Sequence, residues 1–267
     1  MHCARVQGLI VAVTMQLPKL VAHRGWARNY PENTLVALEA AMDVGAAFVE
    51  IDVQLSSDGY PVLFHDRSLE RMCGVRGVVH ELTLAELRAL SCGEAARFGG
   101  KFASEGIASL AGFVQLLRRH PEVRAFVEVK RAATERFGDE RVLERVMGAI
   151  EPALQQVALI SFSLPFLAVA RRSSSLHLGA VFDKWSEGEQ SEVAALAPEY
   201  VFCDVDGLPA RGPLAHGGAA IVVYEVADAA LARALGERGV HMVETFEIGE
   251  MLSAFRALEA EPKARDR

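Results

Sequence analysis

Seven polar residues between positions 23 and 130 carry the groups that hold a divalent cation and cleave a phosphate ester. They are His23, Arg24, Glu50, Asp52, His65, Glu128 and Lys130. Each stands in or beside a short apolar stretch of sequence. Aspartate and glutamate are almost never fully buried unless they are paired or bound to a metal. An ordered set of this kind therefore points to a site and not to packing alone.

The carboxylates of Glu50, Asp52 and Glu128 favour a cation with hard oxygen ligands, Mg²⁺ or Ca²⁺, because neither a thiolate nor a His-x-His pair accompanies them. Without a cation their crowding would be costly, since like charges repel and raise each other's pKa. Arg24 and Lys130 supply positive charge for a phosphate oxygen, arginine as a planar fork and lysine as a point charge.

Two histidines complete this set. Imidazole is the side chain that can exchange a proton near neutral pH, so His23 and His65 can serve as a base and acid pair. Glu32 and Asn33 are predicted to shape the first loop, with Asn33 capping the helix that follows. The remaining histidines have no comparable context, and we interpret them as surface or packing residues.

Strands must position these residues, and apolar strands alternate with helical patterns almost to the end of the chain. Eight apolar strands, most of them followed by a helix, predict an α/β fold, a single closed (β/α)8 TIM barrel. The strands are predicted over 19–23, 47–53, 125–130, 158–162, 176–182, 200–204, 219–226 and 241–245. The Asp58-Gly59 turn predicts an antiparallel return over 61–65 after the second strand.

Alternate residues of a strand point to the same side. Glu50 and Asp52 therefore project together from the second strand, and Glu128 and Lys130 project together from the third. Because the first three strands are neighbours in a barrel, we expect these side chains to meet at the C-terminal rim, where barrel enzymes keep their sites. The antiparallel return is expected to carry His65 back over this rim.

The barrel is predicted to span residues 19–258 as one domain. An insertion over 67–108, rich in glycine and with a short helix over 84–90, is expected to cross the top of the barrel between strands two and three. Residues 1–18 are expected to form a disordered extension, and the charged residues 259–267 a frayed tail.

The overall composition argues against several classes of protein. With 28 basic and 35 acidic residues the net charge is −7, which argues against a nucleic-acid partner. No segment is long and apolar enough for stable membrane insertion. The four cysteines show no CxxC spacing, so we interpret them as free thiols of a reducing compartment, which predicts a cytoplasmic location. The oligomeric state stays open.

From about residue 19 onward, nearly the whole chain resembles the glycerophosphodiester phosphodiesterase family, part of the wider superfamily of phospholipase-C-like TIM-barrel phosphodiesterases. The resemblance is most specific over 21–130. It rests on motifs in this order: His-Arg-Gly (23–25), Pro-Glu-Asn-Thr (31–34), Glu-x-Asp-Val (50–53), Asp-Gly (58–59), His-Asp (65–66) and Glu-x-Lys (128–130).

The resemblance implies a role for each polar residue. The implied catalytic acid and base are His23 and His65. The implied ligands of a divalent cation are Glu50, Asp52 and Glu128. The implied phosphate ligands are Arg24 and Lys130. By the same resemblance, the segment 67–108 corresponds to the family's insertion between strands two and three.

The C-terminal half departs from the family's pattern. Tyr224-Glu225-Val226-Ala227 stands where the family usually shows Trp-Thr-Val-Asn, and Glu244-Thr245 stands where it usually shows Thr-Asp. These positions shape the pocket for the alcohol, so Tyr224, Glu225 and Glu244 are candidate pocket residues. Glu225 and Glu244 either line the pocket or face solvent. The departure leaves the chemistry intact and the choice of head group open.

Together these features predict metal-dependent hydrolysis of a small glycerophosphodiester to sn-glycerol 3-phosphate and an alcohol. One alternative is a relative in the same superfamily that acts on lysophospholipids, as a lysophospholipase D, or on sphingolipids. Another is a barrel without activity that binds a phosphorylated ligand. The sequence leaves open the choice between Mg²⁺ and Ca²⁺. It also leaves open whether the substrate's own hydroxyl or a water attacks the phosphorus.

Overall fold

The computed structural model describes residues 17–260, which form a closed barrel of parallel strands with helices around it. The nine strands in this range are β1 Lys19–His23, β2 Phe48–Leu55, β3 Pro61–Leu63, β4 Arg124–Val129, β5 Val157–Ser161, β6 His177–Phe182, β7 Tyr200–Asp204, β8 Ala220–Tyr224 and β9 Met242–Thr245. β1 pairs with both β2 and β9, which closes a barrel of eight parallel strands. The short β3 pairs antiparallel with β2, as the Asp-Gly turn predicts. The predicted TIM barrel is confirmed.

Helices follow most of the barrel strands. The α-helices are α1 Leu35–Asp43, α2 Glu70–Cys73, α3 Leu84–Arg88, α4 Ala95–Phe98, α5 Leu110–Leu117, α6 Arg131–Phe137, α7 Asp139–Ile150, α8 Leu164–Ser173, α9 Trp185–Gly188, α10 Ser191–Leu196, α11 Ala229–Glu237 and α12 Ile248–Ala260. Short 3₁₀ turns span Val79–Glu81, Glu151–Gln156 and Val205–Gly207. Within residues 17–260, none of the helices combines the length and apolar character needed to cross a membrane.

The alternation along β2 explains how this fold aims polar groups inward. Val49, Ile51 and Val53 belong to the large apolar cluster that joins the barrel to its helices. Glu50 and Asp52 occupy the alternate positions and point to the other side. Most other strands present apolar side chains to the interior, among them those that form the inner cluster Val21, Phe126, Ile160, Val181, Phe202 and Val222. The inner face of β2 is therefore polar, whereas most other strands present apolar side chains to the interior.

Helix α1 is capped by Thr34, so the prediction that Asn33 caps it is wrong. The Thr34 hydroxyl accepts a hydrogen bond from the backbone N–H of Ala37 at 3.3 Å. Asn33 lies one residue earlier in the left-handed region, with φ of 56°, where asparagine is tolerated. Its side chain is engaged with Asp52 instead, which leaves the capping role to the next residue.

Gly25 allows the chain to leave β1 and pass close to α1. Its φ is +84°, and a Cβ atom at this position would lie 2.7 Å from the backbone carbonyl carbon of Ala37. Both the backbone angle and the close approach require glycine. The glycine of the His-Arg-Gly motif is thus needed for the fold of the first loop.

The insertion between β3 and α5 carries a small core of its own. Its apolar side chains pack with Val62 of β3 and with Phe64, and the cluster consists of Val62, Phe64, Leu69, Met72, Val79, Leu87, Cys92 and Ile107. The predicted helix over 84–90 is shorter, Leu84–Arg88, and begins with a capping box between Thr83 and Glu86. The four-residue helices α2 and α4 escape sequence analysis because one turn leaves no periodic pattern.

The predicted ends of the chain lie mostly outside the described residues. Of the predicted extension over 1–18, residues 1–16 fall outside, and β1 begins at Lys19. Of the predicted tail over 259–267, residues 261–267 fall outside. Glu259 and Ala260 continue α12, so the helix is longer than the predicted barrel boundary at 258.

Candidate active site

Three carboxylates meet where β2 and β4 lie side by side. Asp52 of β2 is paired in register with Glu128 of β4, and Glu50 projects from the same side of β2. One carboxylate oxygen from each of the three lies within 4.8 Å of the others. All three side chains are buried. We refer to Glu50, Asp52 and Glu128 as the acidic cluster; the structure brings together the residues that the sequence nominated as metal ligands.

Two cationic side chains, Lys130 and Arg24, contact the acidic cluster. Lys130 Nζ lies 3.1 Å from Asp52 Oδ1 and 2.7 Å from Glu128 Oε1. Arg24 Nε lies 2.9 Å from Asp52 Oδ2. Although burial opposes ionisation, Lys130 and Arg24 hold the pKa of Asp52 well below its usual range. Lys130 lies one residue beyond the end of β4 at Val129, whereas the sequence predicts it as the last residue of this strand.

Within residues 17–260, Glu50 is the member of the acidic cluster that has no lysine or arginine side chain as a partner, so it favours a bound metal cation. Its Oε2 accepts a hydrogen bond from the backbone N–H of Arg24 at 3.2 Å, while its Oε1 is buried without a partner. Burial, then Asp52 and Glu244, raise the pKa of Glu50 well above its ordinary value. A buried carboxylate oxygen without a partner is costly. The set offers only carboxylate oxygens, which fits Mg²⁺ or Ca²⁺.

His23, the last residue of β1, lies against the acidic cluster. Its Nε2 is 3.7 Å from Glu50 Oε2, and its ring stacks on Phe246 with centroids 4.4 Å apart. Burial, then the charge of Arg24, hold the pKa of His23 well below its ordinary value. The imidazole is therefore neutral at pH 7 and can accept a proton.

His65 follows β3 and is held by Asp66. Its Nδ1 lies 2.7 Å from Asp66 Oδ1, and Asp66 also accepts a hydrogen bond from Arg71 Nε at 2.6 Å. Although burial opposes it, the hydrogen bonds from Arg71 and His65 hold the pKa of Asp66 below its usual value. An ionised carboxylate only accepts hydrogen bonds, so Nδ1 of His65 carries the hydrogen and Nε2 is left for proton exchange.

Gln54 fixes the backbone around His65, a role that sequence analysis missed. Its Nε2 lies 2.9, 3.1 and 2.7 Å from the carbonyl oxygens of Phe64, His65 and Asp66. Gln54 is two residues beyond Asp52 on β2 and is fully buried. The signal was present, since Gln54 continues the alternation of polar residues that begins at Glu50.

The loop after β1 is tied to the acidic cluster by a pair of hydrogen bonds. Asn33 Nδ2 donates to Asp52 Oδ2 at 2.8 Å, and the Asp52 backbone N–H donates to Asn33 Oδ1 at 3.0 Å. Glu32 pairs with Arg24 at 3.2 Å and with Arg71 of α2 at 2.6 Å. Glu32 and Asn33 do shape this loop, and they also position residues of the site.

A cavity of about 190 Å³ opens at this rim of the barrel. Its lining includes His23, Arg24, His65, Glu128 and Lys130, so five of the seven nominated residues surround one space. The other two, both of β2, are buried and do not line it. The rest of the lining combines apolar, aromatic and acidic side chains, namely Ile160, Phe162, Val181, Asp183, Phe202, Asp204, Tyr224, Glu225 and Glu244.

The three candidate pocket residues all line this cavity. Tyr224 ends β8, and its hydroxyl lies 3.1 Å from the carbonyl oxygen of Phe182 and 3.3 Å from Asp183 Oδ1. Glu225 follows with φ of 65° and is exposed at the cavity. Glu244 of β9 is buried. Both glutamates therefore line the pocket, Glu225 as an exposed residue and Glu244 as a buried one.

Asp183 and Asp204 also line the cavity and were not nominated from the sequence. Asp204 ends β7, and Asp183 follows β6 directly. The signal that identified His23 and Lys130, a polar residue at the end of an apolar strand, applies to both. Neither residue belongs to one of the motifs over 23–130, so this signal stands alone at both positions.

The sequence matches a known family. The model of the glycerophosphoryl diester phosphodiesterase family matches residues 23–246. The chain belongs to this family. The match begins at His23, the last residue of β1, and ends at Phe246, just after β9, so it covers all the residues of the site. The rings of these two end residues stack on each other.

Curated members of the family match parts of the chain. A glycerophosphodiester phosphodiesterase of Caldanaerobacter subterraneus subsp. tengcongensis is 42% identical over 98 residues, 37% of this chain and 40% of that protein. Glycerophosphodiester phosphodiesterase 1 of Homo sapiens is 36% identical over 110 residues, 41% of this chain and 33% of that protein. In both cases the match spans less than half of the relative's length.

Solved structures share the fold over most of the chain. A phosphodiesterase of Oleispira antarctica, in complex with the product sn-glycerol 3-phosphate, has a TM-score of 0.78 and 24% identity, covering 90% of this chain and 97% of that one. A glycerophosphodiester phosphodiesterase of Thermotoga maritima has a TM-score of 0.67 and 21% identity, covering 90% and 99%. At these identities the likeness establishes the barrel fold.

Proposed function

We propose that the protein hydrolyses glycerophosphodiesters to sn-glycerol 3-phosphate and an alcohol with the help of a divalent cation. The observation that carries this proposal is that Glu128 of the acidic cluster, two cationic side chains and two histidines line one cavity, with the rest of the acidic cluster buried beside Glu128. Membership of the family supports the reaction type. The product bound to the Oleispira antarctica phosphodiesterase of the same fold supports glycerol phosphate as the retained half of the substrate.

In this proposal the acidic cluster holds the cation, Mg²⁺ or Ca²⁺, which when bound acts as a Lewis acid on the phosphate. Arg24 and Lys130 line the cavity and donate hydrogen bonds to the non-bridging phosphate oxygens. Asp52 pairs with both Arg24 and Lys130 and so keeps their charged groups at fixed positions in the free protein. Preorganised positive charge of this kind lowers the cost of the charge that develops on the phosphate.

The two histidines divide the proton transfers in this proposal. His23, kept neutral by burial and by Arg24, accepts the proton of the nucleophile. His65, whose Nδ1 is held by Asp66, donates a proton from Nε2 to the departing alcohol oxygen. The nucleophile is the substrate's neighbouring hydroxyl, which forms a cyclic phosphate that water then opens, or it is water itself. Either route consumes one water and releases one alcohol.

Product analysis tests this function. The purified chain is incubated with glycerophosphocholine, glycerophosphoethanolamine, glycerophosphoglycerol and lysophosphatidylcholine, with and without a chelator, and products are identified by phosphorus NMR. We expect sn-glycerol 3-phosphate from the glycerophosphodiesters, loss of turnover on chelation, and recovery with Mg²⁺ or Ca²⁺. Turnover confined to the lysolipid would instead support the lysophospholipase D alternative. Phosphate-ester binding without any turnover would support a non-catalytic barrel.

Variants separate the histidine roles from general effects. His23→Ala and His65→Ala are each expected to lower kcat by about 10² to 10⁴ while the protein stays folded. His177→Ala is the matched control, because His177 is exposed and begins β6 at the opposite end of the barrel. Near-normal activity in either site variant would contradict the assignment.

A further inference from the structure

Glu244 is a buried acid that the proposed reaction leaves without a task. It lies on β9, paired in register with Val21 of β1, and two residues after Met242, which belongs to the inner apolar cluster. Only 3% of Glu244 is exposed, yet the residue lines the cavity. Within residues 17–260 its carboxylate has neither a hydrogen bond nor an ion pair, and its Oε1 is wholly buried without a partner.

Charges of both signs act on Glu244. Glu128 and Asp52 are the charged groups that most oppose its ionisation, and Glu244 in turn acts on Glu50. Arg24 and Lys130 are the cations that favour it. With Glu244, four carboxylates face two permanently charged cations at this rim. A divalent cation would offset negative charge that these carboxylates bring to the rim.

Packing offers no reason for an acid at this position. The neighbouring inward-facing positions of the barrel are filled by apolar side chains such as Val21, Val222 and Met242. A further apolar residue would fill the same space without the cost of desolvating a carboxylate. A buried, unpartnered acid aimed into a cavity beside three other acids is instead suited to a positively charged ligand.

We propose that Glu244 is a fourth acidic group of the cation site and raises its affinity for a divalent cation. This inference rests on the proposed function, which supplies the cation. Glu244 is not among the three residues whose carboxylate oxygens lie within 4.8 Å of one another. It therefore acts through its charge from the neighbouring strand, and not as one of the three close ligands. Glu244 and the acidic cluster are both buried, so solvent screens the interaction between its charge and a bound cation only weakly.

Direct cation binding tests the inference without any use of activity. Mg²⁺ and Ca²⁺ are each titrated into the cation-free full chain by calorimetry, for the wild type, Glu244→Gln and Glu225→Gln. Glutamine keeps the shape of the side chain and removes its charge. We expect Glu244→Gln to weaken binding of both ions by about tenfold or more. Glu225, an exposed acid on the same cavity, is the matched control, and Glu225→Gln is expected to stay within about twofold of the wild type.

Glu244→Gln should also raise the melting temperature of the cation-free protein, because it removes a buried negative charge from among three others. If Glu244→Gln does not fold, Glu244→Met takes its place in both measurements. This variant has an apolar side chain of similar length beside Met242. An apolar replacement that folds and binds cations as the wild type does would overturn the inference.

The remaining outcomes separate this inference from the proposed function. If the wild type binds neither ion, the cation site of the proposed function fails. If the wild type binds and Glu244→Gln binds equally well, only the role of Glu244 fails. If Glu225→Gln weakens binding as much as Glu244→Gln, the effect belongs to the overall charge of the cavity, and the specific role of Glu244 is overturned.

Discussion

His65 Nδ1 lies 2.7 Å from Asp66 Oδ1, and this contact begins a chain of charges that leads to the other side of the site. Arg71 donates from Nε to Asp66 at 2.6 Å and contacts Glu32 at 2.6 Å. Glu32 in turn pairs with Arg24 at 3.2 Å. Because Arg71 belongs to α2, the insertion is tied both to the proposed acid and to the proposed phosphate ligand.

Asp66→Asn is expected to lower kcat by about tenfold or more, which is part of the 10²- to 10⁴-fold that general acid catalysis contributes. The amide no longer fixes Nδ1 of His65 as the donor, so the tautomer that leaves Nε2 for proton exchange is not selected. KM should change little, because Asp66 does not line the cavity. Steady-state kinetics on the preferred glycerophosphodiester measure both constants.

Asp58→Asn controls for loss of a negative charge in the same hairpin. Asp58 lies in the turn before β3, where it accepts a hydrogen bond from Ser56 at 2.6 Å, and it is remote from the cavity lining. The kcat of the Asp58→Asn variant should match that of the wild type. An Asp66→Asn enzyme with wild-type kcat and pH profile would show that the contact does not serve catalysis.

Addition of a divalent cation should raise the melting temperature of the cation-free protein. A ligand that binds only the folded state stabilises it by RT ln(1 + [L]/Kd), about 2.7 kcal/mol at a hundredfold excess over Kd. Glu50→Gln and Glu128→Gln should abolish most of this shift. Glu39→Gln, an exposed acid of α1, should keep it. Equal shifts in all variants would place the cation elsewhere on the protein.

Gly25→Ala is expected to destabilise the protein by about 2–4 kcal/mol. The new Cβ would meet the backbone of Ala37 at 2.7 Å, and the φ of +84° disfavours any side chain. Gly100→Ala is the control, because nothing lies within 4 Å of the Cβ position there. Urea denaturation gives the free energy of unfolding of each variant. A Gly25→Ala protein as stable as the Gly100→Ala protein would contradict this account of the first loop.

The features that follow from strand periodicity could be predicted from the sequence. Glu50 and Asp52 stand at alternate positions between Val49, Ile51 and Val53, so their common direction follows from the geometry of any strand. The closed barrel follows from the number of apolar strands and the helices between them. The meeting of β2 and β4 then required only that successive barrel strands be neighbours.

Contacts between distant loops could not be predicted in this way. Arg71 and Glu32 are 39 residues apart, and nothing in either local sequence indicates that a helix of the insertion reaches the loop after β1. The side chain of Asn33 suits a helix cap, which is why the sequence predicts that role, but its partner Asp52 lies on the distant strand β2. The burial of Glu244 depends on how β9 closes against β1, which a single strand's pattern does not reveal.

His80 is expected to make the protein sensitive to acid between pH 6.5 and 4. Its ring is buried against Phe137 with both nitrogens unpartnered, and burial, then Arg67 and Arg136, lower the pKa of His80 to about 4. In the unfolded chain the same group titrates near pH 6.5. Within that window the unfolded chain binds more protons, so stability is fully present above pH 6.5 and falls as the pH drops towards 4.

His80→Leu should remove this part of the acid sensitivity and raise stability at pH 5 by on the order of 2 kcal/mol relative to the wild type. The gain at pH 8 should be smaller, because the wild-type ring is neutral there in both states. Urea denaturation at pH 8, 6 and 5 measures the difference. His177→Leu removes an exposed histidine and should leave the pH dependence unchanged. A His80→Leu gain that is equal at all three pH values would show that packing alone, and not protonation, accounts for the effect.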